Sequence, residues 1–404
     1  MPRFSIVIPT RNRASLLRFA LQSALDQNFA DYEVIVSNNC STDDTKDVVN
    51  ALGKDRVRYF QPPEVLSMPD HWEWALQHVS GKFVLLLCDD EAVSSECLAS
   101  AERVIQDRQA RIVVLGNGFY VHPSWPVEHE RNVLISRVFS GAEIECQSRK
   151  VLEDLFARLW SVGLPLAHNS VCDMDIIKTV QKRTGRFFHQ PVPDISACCL
   201  MLTIVPWYVF LDEPLILHGR AKESIGASYA HFRNSQSSEE FRKEFKEAIF
   251  QLSPIRCHCV TSMIVESILR AQAALPEGLE SFRVNEAEFY ISCLRDIEQL
   301  ERNGVDVSQD RRELTQYRKK LGLSFQLSLM WAVAREAIGR SPLGPLARAI
   351  KHSLVRRPAI PLSDINRTVF LRGEDFGFTN ILECARRLPE LRIHLCSGKP
   401  PYIV

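Results

Sequence analysis

The 404-residue chain lacks a charge excess of either sign: 49 Lys and Arg balance 49 Asp and Glu. That absence excludes a general nucleic-acid or polyanion binder, which would carry a basic surplus, although it leaves room for a local basic patch. No apolar run approaches the roughly 18 residues of a membrane-spanning helix. The start, Met1-Pro2-Arg3-Phe4, leads straight into a strand-like run and does not read as an export signal. Among the 12 cysteines there is no Cys-x-x-Cys pair. Cys257-His258-Cys259 is the one tight cluster; it has no second pair at zinc-finger spacing and reads as buried helix residues. The expected setting is therefore a cytoplasm, with reduced thiols serving as small hydrophobes. Internal repeats and low-complexity stretches are also missing.

What is present is an ordinary globular balance, 46% hydrophobic and 24% charged, long enough for two domains or one enlarged domain. The first third alternates strand and helix patterns. Phe4–Ile8, Glu33–Ser37, Arg56–Phe60, Lys82–Leu87 and Arg111–Leu115 read as strands. Between them, Arg13–Asn28, a segment from about Asp43 capped by Ser41 or Thr42, His71–Val79 and about Ser95–Arg108 read as helices. Such alternation indicates an α/β fold with a parallel sheet. Ligands of these sheets sit beyond the carboxyl ends of the strands. Three polar groups fall there: Pro9-Thr10-Arg11-Asn12-Arg13, Ser37-Asn38-Asn39-Cys40 and Asp89-Asp90-Glu91.

The acid triplet is the sharpest chemical feature. Three carboxylates in succession repel one another, so they need a cation or solvent. A hard divalent ion accepts carboxylate oxygens and often shares a substrate diphosphate; a solvated turn capping the next helix is the alternative.

Three segments then carry a resemblance. Phe4-Ser5-Ile6-Val7-Ile8-Pro9-Thr10-Arg11-Asn12-Arg13 resembles the N-terminal signature of family 2 glycosyltransferases. Val36-Ser37-Asn38-Asn39-Cys40-Ser41-Thr42-Asp43-Asp44-Thr45 is similar to that family's acidic loop, and Ser80 to Glu91 is similar to the strand entering its Asp-x-Asp motif. The resemblance covers about residues 1–235. It implies a GT-A (Rossmann-like) nucleotide-sugar-binding domain, with a nucleotide half over 1–115 and an acceptor half over 116–235. A mostly helical extension over 236–357 and a tail over 358–404 follow.

The resemblance also implies roles. Pro9, Thr10, Arg11 and Arg13 would line the donor pocket, and Asn38 and Asn39 would stand where paired acids contact the nucleoside. Asp89 and Asp90 would face the donor, and Glu91 would hold Mn²⁺ or Mg²⁺. The chain departs from the family in Glu91, in Asn38 and Asn39, and in Ser67-Met68-Pro69-Asp70-His71-Trp72-Glu73, where the usual Arg-Asn pair is missing. Asp70 there either reaches the nucleoside or caps a helix.

An inverting transfer needs a general base for the acceptor hydroxyl. Asp194, in Pro191-Val192-Pro193-Asp194, resembles the family's catalytic Asp, with a helix cap as the alternative. His168 and Asn169 are candidate acceptor contacts. His218 is a candidate metal ligand, and Arg220 and Lys222 are candidate phosphate partners, in what reads as a flexible loop after a strand at Pro214–Leu217. Gly116-Asn117-Gly118 reads as a turn, and Thr368–Leu371 and Leu391–Leu395 as strands.

The expected reaction moves a sugar from a nucleotide-diphosphate sugar, a UDP-sugar first, to a saccharide or lipid-linked acceptor in bacterial polysaccharide or glycolipid synthesis. The alternatives are a catalytically degenerate GT-A binding protein and a nucleotidyltransferase; the absence of Gly after the first strand disfavours the latter. Leu343, Leu346, Ala347, Ile350 and Leu354 form an apolar stripe beside Arg348 and Lys351. A peripheral contact through 343–357 with the inner membrane face, or a homodimer, are the roles this basic helix suggests.

Overall fold

A computed structural model describes residues 1–233, 236–244, 249–320, 322, 325 and 368–396. Strands β1 (Phe4–Thr10), β2 (Tyr32–Asn38), β3 (Val57–Phe60) and β4 (Phe83–Leu86) are parallel and lie in the order β3-β2-β1-β4. β1 is buried throughout, and its side chains divide by face: Ile6 and Ile8 enter one core, Val7 the other. Helices α1 (Ala14–Leu25), α2 (Thr45–Gly53) and α3 (Met68–Leu76) make the crossovers. α1 buries the expected stripe of Leu16, Leu17, Ala20, Leu21 and Ala24.

Two helix starts differ from the sequence reading. α2 begins at Thr45 without a cap from Ser41 or Thr42; Asp43 instead accepts from the Thr45 amide at 3.2 Å and from the Ala14 amide at 2.8 Å. α3 starts at Met68, three residues earlier than its apolar pattern suggests, because Pro69 fits a first helical turn and Ser67 caps it.

Beyond β4 the sheet becomes mixed. The chain continues through β5 (Ala92–Val93), α4 (Cys97–Arg108), β6 (Ile112–Val121), β7 (Val133–Arg137), β8 (Glu143–Gln147) and α5 (Ser148–Arg158). Then come β9 (Ser170–Asp173), α6 (Met174–Thr184), α7 (Pro193–Ile204), β10 (Trp207–Arg220) and α8 (Ile225–His231). β9 runs antiparallel between β4 and β6, while β10 pairs parallel with β6 and antiparallel with β5 and β8.

Gly116-Asn117-Gly118 is not a turn but the middle of β6. The register of β6 against β10 shifts between Leu211 and Ile216, and a Cβ at Gly116 would lie 2.2 Å from the Glu213 carbonyl. The glycine there serves close strand approach. Likewise the segment read as a loop from His218 is strand: β10 runs to Arg220, and only residues 221–224 separate it from α8.

The C-terminal part adds α9 (Gln236–Lys243), α10 (Val260–Ala274), α11 (Pro276–Leu279), α12 (Glu286–Arg302) and α13 (Ser308–Lys320). The helical extension expected from 236 is interrupted before α10. Glu266 on α10 accepts the backbone amides of Gln251, Leu252 and Ser253 at 3.1, 2.9 and 2.7 Å and holds that stretch as a loop. Val265 and Ile268 of α10 and Phe289 and Ile297 of α12 share one core with Ile195 and Leu200 of α7 and with Val84 and Leu86 of β4.

Thr368–Arg372 is the expected strand, β11, antiparallel to β7. Leu391–Leu395, expected as a strand, lies instead in the helix Ile381–Cys396. Ile381, Cys384, Ala385, Leu388, Leu391 and Leu395 recur at helical spacing and are buried with Tyr120 and Leu134.

All twelve cysteines are free. Cys257 and Cys259 are buried, ahead of α10 and not within a helix. The stripe at 343–357 lies outside the described residues. Among those described, no helix is long and apolar enough to cross a membrane.

Candidate active site

The strand order reverses direction at β1: β2 and β3 lie on one side, β4 on the other. That reversal opens a crevice at the carboxyl ends of β1 and β4, the place where open α/β sheets bind ligands. Asp89 lies just past β4 and is buried. Thr10 Oγ1 donates to its Oδ2 at 2.8 Å, and Arg13 Nη1 donates to its Oδ1 at 2.9 Å. Arg13 is itself buried; desolvation opposes its charge, but Asp89 and Asp90 raise its pKa further above the usual guanidinium value.

Asp90 points the other way. Ser224 Oγ donates to it at 2.5 Å. Burial is the main reason its pKa rises to about 6, with Asp89 and Glu91 adding to the rise against Arg13 and Ser224. β10 comes so close to this turn that a Cβ on Gly219 would lie 1.8 Å from the Asp90 carbonyl.

Glu91 is the centre of the cluster. Its Oε2 accepts the Cys88 amide at 3.0 Å, and its Oε1 meets Nδ1 of His168 at 2.9 Å and Nδ1 of His218. Burial would raise the Glu91 pKa, but the two imidazoles hold it well below the ordinary carboxylate range. His168 bridges onward: its Nε2 lies 3.1 Å from Asp194 Oδ2. Burial disfavours a charged His168, yet Glu91 and Asp194 on either side raise its pKa to about 10.

Asp194 sits in the first turn of α7 beside Pro193, and its Oδ1 accepts the Ile195 amide at 3.0 Å. The sequence reading placed His168 on the acceptor side and His218 on the metal; the structure brings both to Glu91. Asn169 does not join them. Both ends of its amide are spent on backbone, accepting from the Leu166 amide at 3.0 Å and donating to the Leu164 carbonyl at 3.2 Å. It builds the turn that presents His168.

The other expected residues divide similarly. Asn38 donates to Tyr59 Oη at 2.6 Å and accepts from the Ser41 amide at 3.0 Å. Asn39 is clamped on both backbone groups of Leu66, at 2.8 and 2.9 Å, which fixes its side chain to the segment before α3. Pro9 is buried within β1. Arg11 is paired with Glu244 at 2.5 Å. Asp70 is neither a cap nor turned to the crevice alone: Ser67 is the cap, and Asp70 binds Arg186 Nη2 at 2.7 Å. The Arg220 guanidinium lies over the rings of Phe119 and Trp125, and Lys222 lies 3.7 Å from Glu223.

Sequence reasoning missed four participants. His122 packs its Nε2 3.4 Å from the Asp90 carbonyl, and burial lowers its pKa to about 4. Ser224, Glu244 and Arg186 are the others. Each lies far along the chain from its partner, and no local pattern marks it.

A strand-order switch point with buried acids and an arginine beyond the strand ends is where open α/β sheets bind ligands. Residues 5–158 match the family "Glycosyl transferase family 2". That match covers less than half of the chain, a mixed-sheet α/β domain followed by a largely helical C-terminal part. Among curated proteins, a GalNAc(5)-diNAcBac-PP-undecaprenol beta-1,3-glucosyltransferase of Campylobacter jejuni is 35% identical over 164 residues, 40% of this chain and 50% of that protein. The poly(ribitol-phosphate) beta-N-acetylglucosaminyltransferase TarS of Staphylococcus aureus is 28% identical over 119 residues, 28% of this chain and 21% of TarS. The matches thus span half or less of these relatives. Among solved structures, S. aureus TarS 1–349 with UDP-GlcNAc superposes with a TM-score of 0.47 at 16% identity, over 79% of this chain and 88% of that one. A mannosyltransferase of Pyrobaculum calidifontis with GDP-Man and Mn²⁺ gives 0.42 at 15% identity, over 87% of each chain.

Proposed function

We propose that the protein is an inverting glycosyltransferase that moves a sugar from a nucleotide-diphosphate sugar to a hydroxyl of a saccharide or lipid-linked acceptor. The observation that carries this reading is the row Glu91–His168–Asp194 at the edge of the switch-point crevice, with bonds of 2.9 and 3.1 Å. Asp194 is the base. It takes the acceptor's hydroxyl proton as that oxygen attacks the anomeric carbon. The bond from that carbon to the diphosphate breaks on the opposite face, and the nucleoside diphosphate leaves with the electron pair. His168 fixes the orientation of Asp194 through Nε2. Asp89, locked by Thr10 and Arg13, presents its carboxylate to the donor's hydroxyls; Arg13 also brings positive charge toward the diphosphate.

The residues fit a divalent cation. Glu91 Oε1 and Nδ1 of His168, 2.9 Å apart, are the groups that would hold it, with His218 Nδ1 on the other side of the same carboxylate oxygen. Such a cation would neutralise charge on the leaving diphosphate. Cys88 lies within reach, as one of a Cys88, Glu91 and His168 group whose ligand atoms fall within 4.8 Å of one another. Burial and the neighbouring acids push its thiol pKa well up.

The lipid-linked acceptor is favoured by the name of the Campylobacter relative, which specifies a PP-undecaprenol-linked glycan. A thermal-shift and turnover screen of UDP-, GDP-, CMP- and dTDP-sugars with Mn²⁺ tests the reading, with stabilisation expected first from a UDP-sugar. Stabilisation by none of them would leave a degenerate binding fold. In the same assay Asp194→Asn should lower turnover about 100-fold or more with donor binding kept; turnover like the wild type would remove Asp194 as the base.

A further inference from the structure

Helix α3 joins the two halves of the site. On the nucleotide side, His71 Nε2 lies 2.7 Å from Ser37 Oγ at the end of β2, and the residues just before α3 are gripped by Asn39 through Leu66. On the other side, Asp70 and Glu73 both reach residues 186–188. Glu73 is the stronger anchor. Its Oε2 accepts the amides of Phe187 and Phe188 at 2.8 and 2.9 Å, and its Oε1 accepts Gln181 Nε2 at 2.7 Å. Arg186, held by Asp70, donates from Nε to the Phe188 carbonyl at 2.5 Å.

The segment so fixed runs directly into the site. His189 donates its amide to Ser196 Oγ at 3.0 Å, and Ser196 Oγ in turn lies 2.9 Å from the Pro193 carbonyl. The next residue after Pro193 is Asp194. From Glu73 to Asp194 the backbone is therefore tied down at 187, 188, 189 and 193, and two of those ties end on one carboxylate oxygen. A carboxylate accepting two successive amides sets the direction of the chain that follows, because both peptide planes must face it.

We infer that Glu73 is a positioning residue for transfer: it holds the turn that aims Asp194, and through α3 it ties that aim to the donor pocket. The inference rests on Asp194 acting as the base. It does not require Glu73 to touch either substrate.

The substitution pair Glu73→Gln and Glu73→Ala separates aim from mere packing. In Glu73→Gln the amide oxygen still accepts both N–H groups, and Gln181 can turn its own amide to face the new NH₂. In Glu73→Ala both amides lose their acceptor. With the wild type and Asp194→Asn as controls, steady-state kinetics should show kcat about tenfold or more lower in Glu73→Ala, a donor KM within about twofold, and near-complete retention in Glu73→Gln. Melting temperatures identify any Glu73→Ala loss that is simple unfolding; in that event Ser196→Ala, which cuts the same segment at its other end, must show the same kcat-only loss. Wild-type kcat in Glu73→Ala, equal losses in the Ala and Gln variants, or a loss residing in donor KM would each overturn the inference. If Asp194→Asn is itself fully active, the base assignment has failed; if only Glu73→Ala is fully active, the assignment stands and the coupling does not.

Discussion

The two halves of the crevice are built differently. On the nucleotide side, each element of the site is a short contiguous stretch at the end of a parallel strand: 9–13 after β1, 37–39 after β2, 87–91 after β4. On the acceptor side nothing is contiguous. Glu91 meets His168 from 77 residues away and His218 from 127 residues away, on a turn and a strand that share no motif. Parallel strands place their carboxyl ends together by construction, so a motif at each end suffices. The mixed part of the sheet has no such rule, and its site residues are gathered by bulges, close strand approach and long-range anchors.

The largest effects come from groups that both halves share. Glu91 is one. Glu91→Ala removes the oxygen on which His168 and His218 converge, and transfer should fall about 100-fold or more, together with metal-dependent nucleotide binding. Unchanged Mn²⁺-dependent nucleotide affinity, read by calorimetry, would move the cation site elsewhere.

The strand crossing comes next. Gly219→Ala drives a methyl into the Asp90 carbonyl, and we expect a loss of about 3 kcal/mol in a urea unfolding curve. A wild-type midpoint would mean that β10 and the acid turn sit further apart than described.

A smaller effect tests the nucleotide side alone. Glu244 occupies Arg11, a residue expected to face the donor's negative charge, and burial raises the Glu244 pKa despite Arg11. Glu244→Gln should free Arg11 and tighten UDP binding about three- to tenfold, without a change in kcat. Weaker binding would instead make Glu244 a donor contact.

The smallest concerns the frame of the sheet. Glu33 accepts from Ser5, Arg58 and Ser80; burial would raise its pKa, but these bonds hold it below the ordinary carboxylate value. Because the folded value is the lower one, its contribution is present above the unfolded pKa and lost as pH falls through the folded pKa. Glu33→Gln should cost about 1 kcal/mol at neutral pH and flatten stability on the acid side. An unchanged acid limb would show that Glu33 is not part of that dependence.

Particular residues show where sequence reasoning reached its limit. Asn39 and Asn169 look like ligand-contacting amides in a polar break, yet both are consumed by nearby backbone; an amide that can pair locally does so unless geometry forbids it. Gly116 looks like a turn because glycine marks turns, but here it admits a neighbouring strand. Leu391–Leu395 is apolar enough for a strand, and only its 3–4 spacing with Ile381, Cys384 and Leu388 reveals the helix.

By itself, then, the sequence determined the parallel core, its connecting helices and the acid turn at the end of β4, because hydrophobic period and strand-end motifs are local properties of the chain. Which groups meet that turn was left to tertiary structure. His168, Asp194 and His218 acquire their roles only when β9, α7 and β10 pack beside β4, and Glu73 only when α3 faces the segment before α7. Those are contacts between distant segments, decided by how the mixed sheet closes and how the helical region shares its core.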